Sequence, residues 1–152
     1  MDYRHTQTSY TSFLVGAGAL VVFAIMFAAG DEGTGTKVLT GAVVLLLVVV
    51  TVLFNRLTVV VANGVVEVKF GFGWPRRTME TRDIVAARQV RNQWYYGFGM
   101  RKVPGGWMYN VWGLDAVEVE LRSGSTFRIG TDEPGDLQVA ITLHASLRRD
   151  AT

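Results

Sequence analysis

Side chains capable of chemistry fall into three groups here: two histidines, a few carboxylates set among apolar residues, and a central run of basic and aromatic residues. His5 and His144 lie at opposite ends of the sequence, so a His-rich metal centre is not expected. No cysteine is present, which removes disulfides, thiolate nucleophiles and Cys-based zinc or iron–sulfur sites together. Glu118 and Glu120 alternate with Val117, Val119 and Leu121, and Arg128 sits between Phe127 and Ile129. That alternation reads as a solvated strand face with cross-strand charge pairing, not as a metal site. His144 shares a predicted helical face with Leu137, Ala140, Ile141 and Leu147 and reads as a packing residue. These residues give no catalytic, metal-binding or cofactor-binding set, so the chain is not expected to be an enzyme. The structural sign of one would be a buried Asp or Glu in a pocket lined by Trp94 and Trp107.

The central run is the most unusual stretch. Between Lys69 and Lys102 stand eight basic residues against Glu80 and Asp83, interleaved and followed by Trp74, Trp94, Tyr95, Tyr96, Phe98, Trp107, Tyr109 and Trp112. Three readings compete for it. The aromatics could be the core of a small barrel, with Gly97, Gly99, Gly105 and Gly106 shaping its turns. Trp74, Arg76, Arg77, Arg101, Lys102 and Trp107 could rest on a membrane surface, where Trp suits the headgroup layer and Arg and Lys attract anionic lipid. The same residues with Trp94 could instead form a contact surface for a partner protein. Basic and aromatic interleaving also suggests single-stranded nucleic acid. A balance of only +3 over residues 55–152 (13 basic against 10 acidic) and a tether at a membrane argue against that partner. Gly97-Phe98-Gly99 and Gly105-Gly106 open no predicted helix after a strand, so neither reads as a phosphate loop.

The elements that position these residues begin with two apolar segments. Thr6 to Gly30 is free of charge, and at 1.5 Å per residue its core from Phe13 to Ala29 reaches roughly 26 Å, close to the hydrocarbon thickness of a bilayer. Val38 to Asn55 repeats the pattern, with the short polar stretch Asp31–Lys37 between. The expectation is an N-terminal tail over 1–12, a transmembrane helical hairpin over 13–55 (helices 13–30 and 38–55), and a folded domain over 56–152. A cleaved leader followed by one span is the alternative. Asp2 against Arg4 and an apolar run longer than that of a leader speak against it. Basic residues are sparse in the connecting loop and frequent after the second segment, which predicts both termini in the cytoplasm. Gly16, Leu20, Ala24 and Ala28 on one segment, with Gly41 and Ala42 on the other, are small or apolar enough for close helix packing. No ionisable residue lies within either segment, so a transport or proton-relay role has no chemistry to use.

Past Leu57 the periodicity becomes that of strands. Asn63-Gly64 between Leu57–Ala62 and Val65–Phe70 predicts a hairpin with a type I′ turn. Ile84–Arg91 reads as a further strand, and Ser123-Gly124-Ser125 turns a second hairpin from Val117–Arg122 into Phe127–Ile129. A helix follows Thr131 or Asp132, with acidic residues and Pro134 in its first turn. In Tyr96–Arg101, Tyr109-Asn110-Val111, Ala116–Leu121 and Ile129–Pro134 the region 57–147 resembles the membrane-anchored bacterial pleckstrin-homology-like (PH-like) domains. The resemblance implies an α+β membrane protein: a two-helix transmembrane hairpin, then a PH-like β-barrel or sandwich capped by a C-terminal helix. It also implies a bacterial inner-membrane setting. The function expected is a non-enzymatic interaction module, an accessory or assembly subunit of a larger complex whose partners are membrane lipids and other integral membrane proteins. Binding of anionic lipid headgroups at the membrane surface is the alternative.

Overall fold

The structure, a computed structural model, describes residues 2–28 and 33–149 and shows an α+β fold with two sheets and three helices among them. The first sheet holds β1 (Tyr3–Thr8), β2 (Arg56–Ala62), β3 (Val65–Phe70) and β4 (Arg76–Glu80), paired antiparallel in that order. The second holds β5 (Ile84–Arg91), β6 (Gly99–Val103), β7 (Gly106–Asn110), β8 (Asp115–Leu121) and β9 (Thr126–Gly130) in the order β5-β8-β9-β7-β6, with β7 and β9 parallel. The helices are α1 (Tyr10–Ala28), α2 (Thr34–Leu53) and α3 (Pro134–Arg149).

Local rules explain the strands. Asn63 and Gly64 both take positive φ, 51° and 77°, as a tight turn between β2 and β3 requires. Alternation in β3 sends Val66, Val68 and Phe70 inward to meet Val59 and Val61 of β2 and, across the sandwich, Tyr109, Val117, Val119, Phe127 and Ile129. Leu137 and Ile141 of α3 complete this core. Each fully buried side chain of this size contributes about 1.5–3 kcal/mol, so the core dominates the domain's stability. The sandwich is open: β4 ends one sheet and β6 the other, and no strand pair among the described residues joins them.

Three expectations need correction. Residues 3–8 are not a tail. They form β1, in register with β2 from Tyr3↔Val61 to Thr8↔Arg56, because Tyr3, His5 and Gln7 can face inward while Arg4, Thr6 and Thr8 face out. The second apolar segment is helical from Thr34, with Gly33 as its N-cap, so Thr34–Lys37 belongs to α2 and not to the loop. Asp31 and Glu32 lie outside the described residues. Lastly, among the described residues only Thr34–Leu53 is long and apolar enough to cross a membrane by length and composition; the apolar part of α1, Phe13–Ala28, is shorter.

The two helices nevertheless pack antiparallel. Gly16 faces Thr51, Phe23 faces Gly41, and the Lys37 ammonium lies 5.4 Å from the centre of the Phe27 ring. Of the residues expected at this interface, Gly16 and Gly41 are in it, while Ala24, Ala28, Leu20 and Ala42 are exposed. The reason is geometric. At 3.6 residues per turn a row spaced by four advances about 40° per step, so 16-20-24-28 winds off the contact. The residues that stay on it are Gly16, Ala19, Phe23 and Met26.

Candidate functional site

The joint between hairpin and sheet is built from backbone. Beyond the last β1–β2 pair, the Ser9 amide donates to the Asn55 carbonyl at 2.8 Å, carrying the ladder to the helix ends. Gly71, just past β3, donates to the Arg56 carbonyl at 2.9 Å with φ of 40°. A side chain at Gly71 would collide with the Leu53 carbonyl at the end of α2, so glycine is required for this close approach. The segment after it is thereby held beside the hairpin's foot, where Phe72 (86% exposed) and Trp74 (70%) project.

A cleft of about 580 Å³ opens at the same level. Ser9, Val15, Val50, Thr51 and Phe54 come from the hairpin side, and Phe98, Gly99, Met100, Arg101 and Val111 from the second sheet. Its walls are braced from behind. Phe54 meets the Phe70 ring edge-on at 5.0 Å, Phe98 stacks on Trp112 at 5.8 Å, and Arg101 Nε donates to the Phe98 carbonyl at 3.1 Å. A second cleft, of about 280 Å³, lies at the open side of the sandwich and is lined by Arg77, Met100, Trp107, Tyr109 and Phe127. Met100 lines both clefts and joins them. Neither is lined by a carboxylate or an imidazole.

Register places several of the sequence-derived candidates around this side. Arg77 pairs with inward-facing Val68, and Lys102 pairs with Trp107, so all three point toward the mouth between β4 and β6. Arg76 lies beside Arg77 on the opposite face of β4, and Arg101 reaches the first cleft. Arg76, Arg77, Arg101 and Lys102 have no acidic partner among the described residues, whereas Lys69, Arg82, Arg88, Arg91 and Arg128 each have one. Trp94 does not join the group. It lines neither cleft and stands 79% exposed on a 3₁₀ turn (Trp94–Tyr96), edge-on to Tyr95. All four tryptophans are at least 41% exposed, so the core reading fails for them and holds for Tyr109.

The carboxylate pattern conceals a different feature. Glu118, expected on a solvated face, is only 4% exposed. Arg128 Nε donates to its Oε2 at 2.6 Å, Arg88 binds its other oxygen, and Tyr96 and Asn92 flank Arg128. Burial opposes ionisation of this carboxyl, but the two guanidinium hydrogen bonds outweigh it and hold the group below the ordinary carboxylate range. Glu118 lines neither of the two clefts. Across the molecule, His5 bridges Asp132 (Nε2 to Oδ1, 2.6 Å) and Glu133 (Nδ1 to Oε2, 3.2 Å), tying β1 to the start of α3. Tyr3 lies beside this link, and burial together with Glu133 pushes its phenol up to about 12. His144 Nδ1 lies 2.9 Å from the Ala140 carbonyl within α3. Among the described residues no group of three or more His, Asp or Glu could hold a metal ion.

Sequence reasoning missed Val15 and Val50, because cleft residues on an apolar helix look like every other apolar residue there; it also missed Met100 on β6 and Phe72 in the loop after β3. No protein-family model matches the chain, and no curated protein matches it at a significant level.

Proposed function

We propose that this chain is a non-enzymatic, membrane-anchored interaction module: α1 and α2 sit in a bilayer as a two-pass hairpin, and the β domain works at the membrane surface. The observation that carries this reading is the bareness of the hairpin. Leu14, Leu39 and Leu46 are each more than 60% exposed, and apolar side chains surround both helices except along one contact stripe. Apolar surface of that extent exceeds the few hundred Å² that a soluble monomer usually shows, and a helix apolar on all sides belongs in lipid or in a protein core. α1 carries Tyr10-Thr11-Ser12 ahead of its apolar run and reaches 19 residues with them, about 28 Å of helix. The β1–β2 ladder supports placing the N-terminus and the domain on the same side, which the basic flanks assign to the cytoplasm.

Within that reading the chain acts as an accessory or assembly subunit of a larger bacterial inner-membrane complex, with its domain of the PH-like kind. An open sandwich capped by a C-terminal helix is in keeping with that family, and exposed aromatics beside unpaired arginines are the usual makings of a protein contact. Purification of the full chain in mild detergent with mass spectrometry of co-purifying proteins tests it. A reproducible membrane-protein partner is expected, and a chain that runs alone overturns the assembly role.

A second reading has its own support in the four unpaired cations Arg76, Arg77, Arg101 and Lys102 beside Trp74 and Trp107: recognition of anionic lipid headgroups. Its test compares the full chain in nanodiscs with and without anionic lipid, since a fragment starting at residue 56 would lose β1. Charge reversal at these four positions should abolish any preference of the domain for the anionic surface; an unchanged preference rejects the reading.

A further inference from the structure

We propose that the cleft at the foot of the hairpin is a lipid site. One acyl chain of an anionic phospholipid lies against Val15, Val50, Phe54, Phe98 and Met100, and its phosphate is held by Arg101. The proposal rests on the membrane reading above and deepens it by naming an occupant. Val15 and Val50 line the cleft and also belong to the bare surfaces of α1 and α2, so the cleft is continuous with the face that meets the bilayer. Its floor includes buried Val111, and aromatic contacts to Phe70 and Trp112 hold its walls, so the space is formed before anything enters.

Size and charge choose the occupant. A helix about 10 Å across would fill 580 Å³ within roughly 7 Å of its length, little more than one turn. The cleft therefore offers a partner helix little more than one turn of contact, whereas a single hydrocarbon chain is slender enough to lie within it. Arg101 is the only charged residue lining the cleft and has no acidic partner among the described residues. Its Nε is spent on the Phe98 carbonyl, which fixes the guanidinium at the rim and leaves its terminal nitrogens for a phosphate oxygen. An anionic amphiphile satisfies both the apolar wall and the unpaired cation.

The experiment places the full chain in nanodiscs containing phosphatidylglycerol or phosphatidylcholine with a diazirine at the end of one acyl chain, and maps photoadducts by peptide mass spectrometry. Adducts should concentrate on residues 15, 50–54 and 98–100. Val50→Trp, at an exposed helix position, fills the cleft and should remove them. Leu45→Trp, exposed on another face of α2, should leave them in place. Arg101→Gln should reduce phosphatidylglycerol labelling about tenfold, the loss of one charge-assisted contact to the phosphate, and phosphatidylcholine labelling less, because its choline already neutralises the same phosphate. Even labelling along both helices, indifference to Val50→Trp, or a crosslinked second copy or partner protein in the cleft overturns the lipid site and spares the anchor. Release of the chain from membranes by alkaline extraction overturns the anchor itself, and the lipid site with it.

Discussion

The hairpin and the β domain obey opposite rules within one chain. In the domain, the core apolar side chains are hidden and a buried charge is paired: Phe70, Leu57 and Ile129 are inaccessible, and Glu118 is buried between two arginines. In α1 and α2 nearly every large apolar side chain faces outward, and α2 has no fully buried residue. One region carries its own solvent inside it, and the other expects its solvent from outside. The difference teaches that substitutions should be read against different surroundings in the two halves.

The largest expected effect tests the domain side. Phe70→Ala removes a ring packed between Phe54 and Tyr109 and should cost about 3–5 kcal/mol in urea unfolding of the domain. Leu46→Ala, 62% exposed on α2, should change that unfolding by less than about 0.5 kcal/mol. Equal effects would erase the contrast between the regions.

Next is Glu118→Ala, which leaves Arg128 largely buried without its carboxylate and should cost about 2–3 kcal/mol. The acid limb sharpens this. The folded state holds the Glu118 proton more weakly than the unfolded chain does, so its contribution is complete above the ordinary carboxylate range. It is lost as pH falls through the lower folded value. Glu118→Gln should flatten that limb of the stability–pH curve.

Gly71→Ala probes the joint between the regions. A left-handed backbone and a collision with the Leu53 carbonyl should together cost about 1–3 kcal/mol, read as faster hydrogen exchange at Ser9 and Gly71. The smallest effect belongs to Tyr3. Its phenol is raised to about 12, so its contribution is present below pH 10 and is lost as pH rises from there toward 12. Tyr3→Phe should remove that alkaline loss, at a cost of about 1 kcal/mol or less at neutral pH.

How much of this was legible beforehand depended on periodicity. The Asn63-Gly64 hairpin, the β8–β9 hairpin and the terminal helix follow from short-range patterns, and the structure has all three. β4, β6 and β7 fall in the basic and aromatic stretch, where Arg76-Arg77 or Met100-Arg101-Lys102 shows no clean alternation because these strands flank an open mouth. β1 stayed hidden because its partner lies beyond the whole hairpin and its own alternation is polar on both faces. Glu118 looked solvated since a strand's outward face usually is; nothing local announces that residues 92–96 fold back toward it. Of the basic and aromatic candidates, Arg101 lines the first cleft and Arg77 and Trp107 the second, whereas Trp94 lines neither.

The ladder between β1 and β2 has a consequence for how such a chain is made. β1 leaves the ribosome ahead of both helices and finds no partner until they have been synthesised and β2 has followed them. The two strands can meet only if the intervening segments bring them back to the same place. A chain whose hairpin failed to close would leave β2 with a bare edge and His5 without Asp132 and Glu133. Completion of the first sheet is thus a built-in check on closure of the hairpin, with an exposed strand edge as the mark of a copy that failed it.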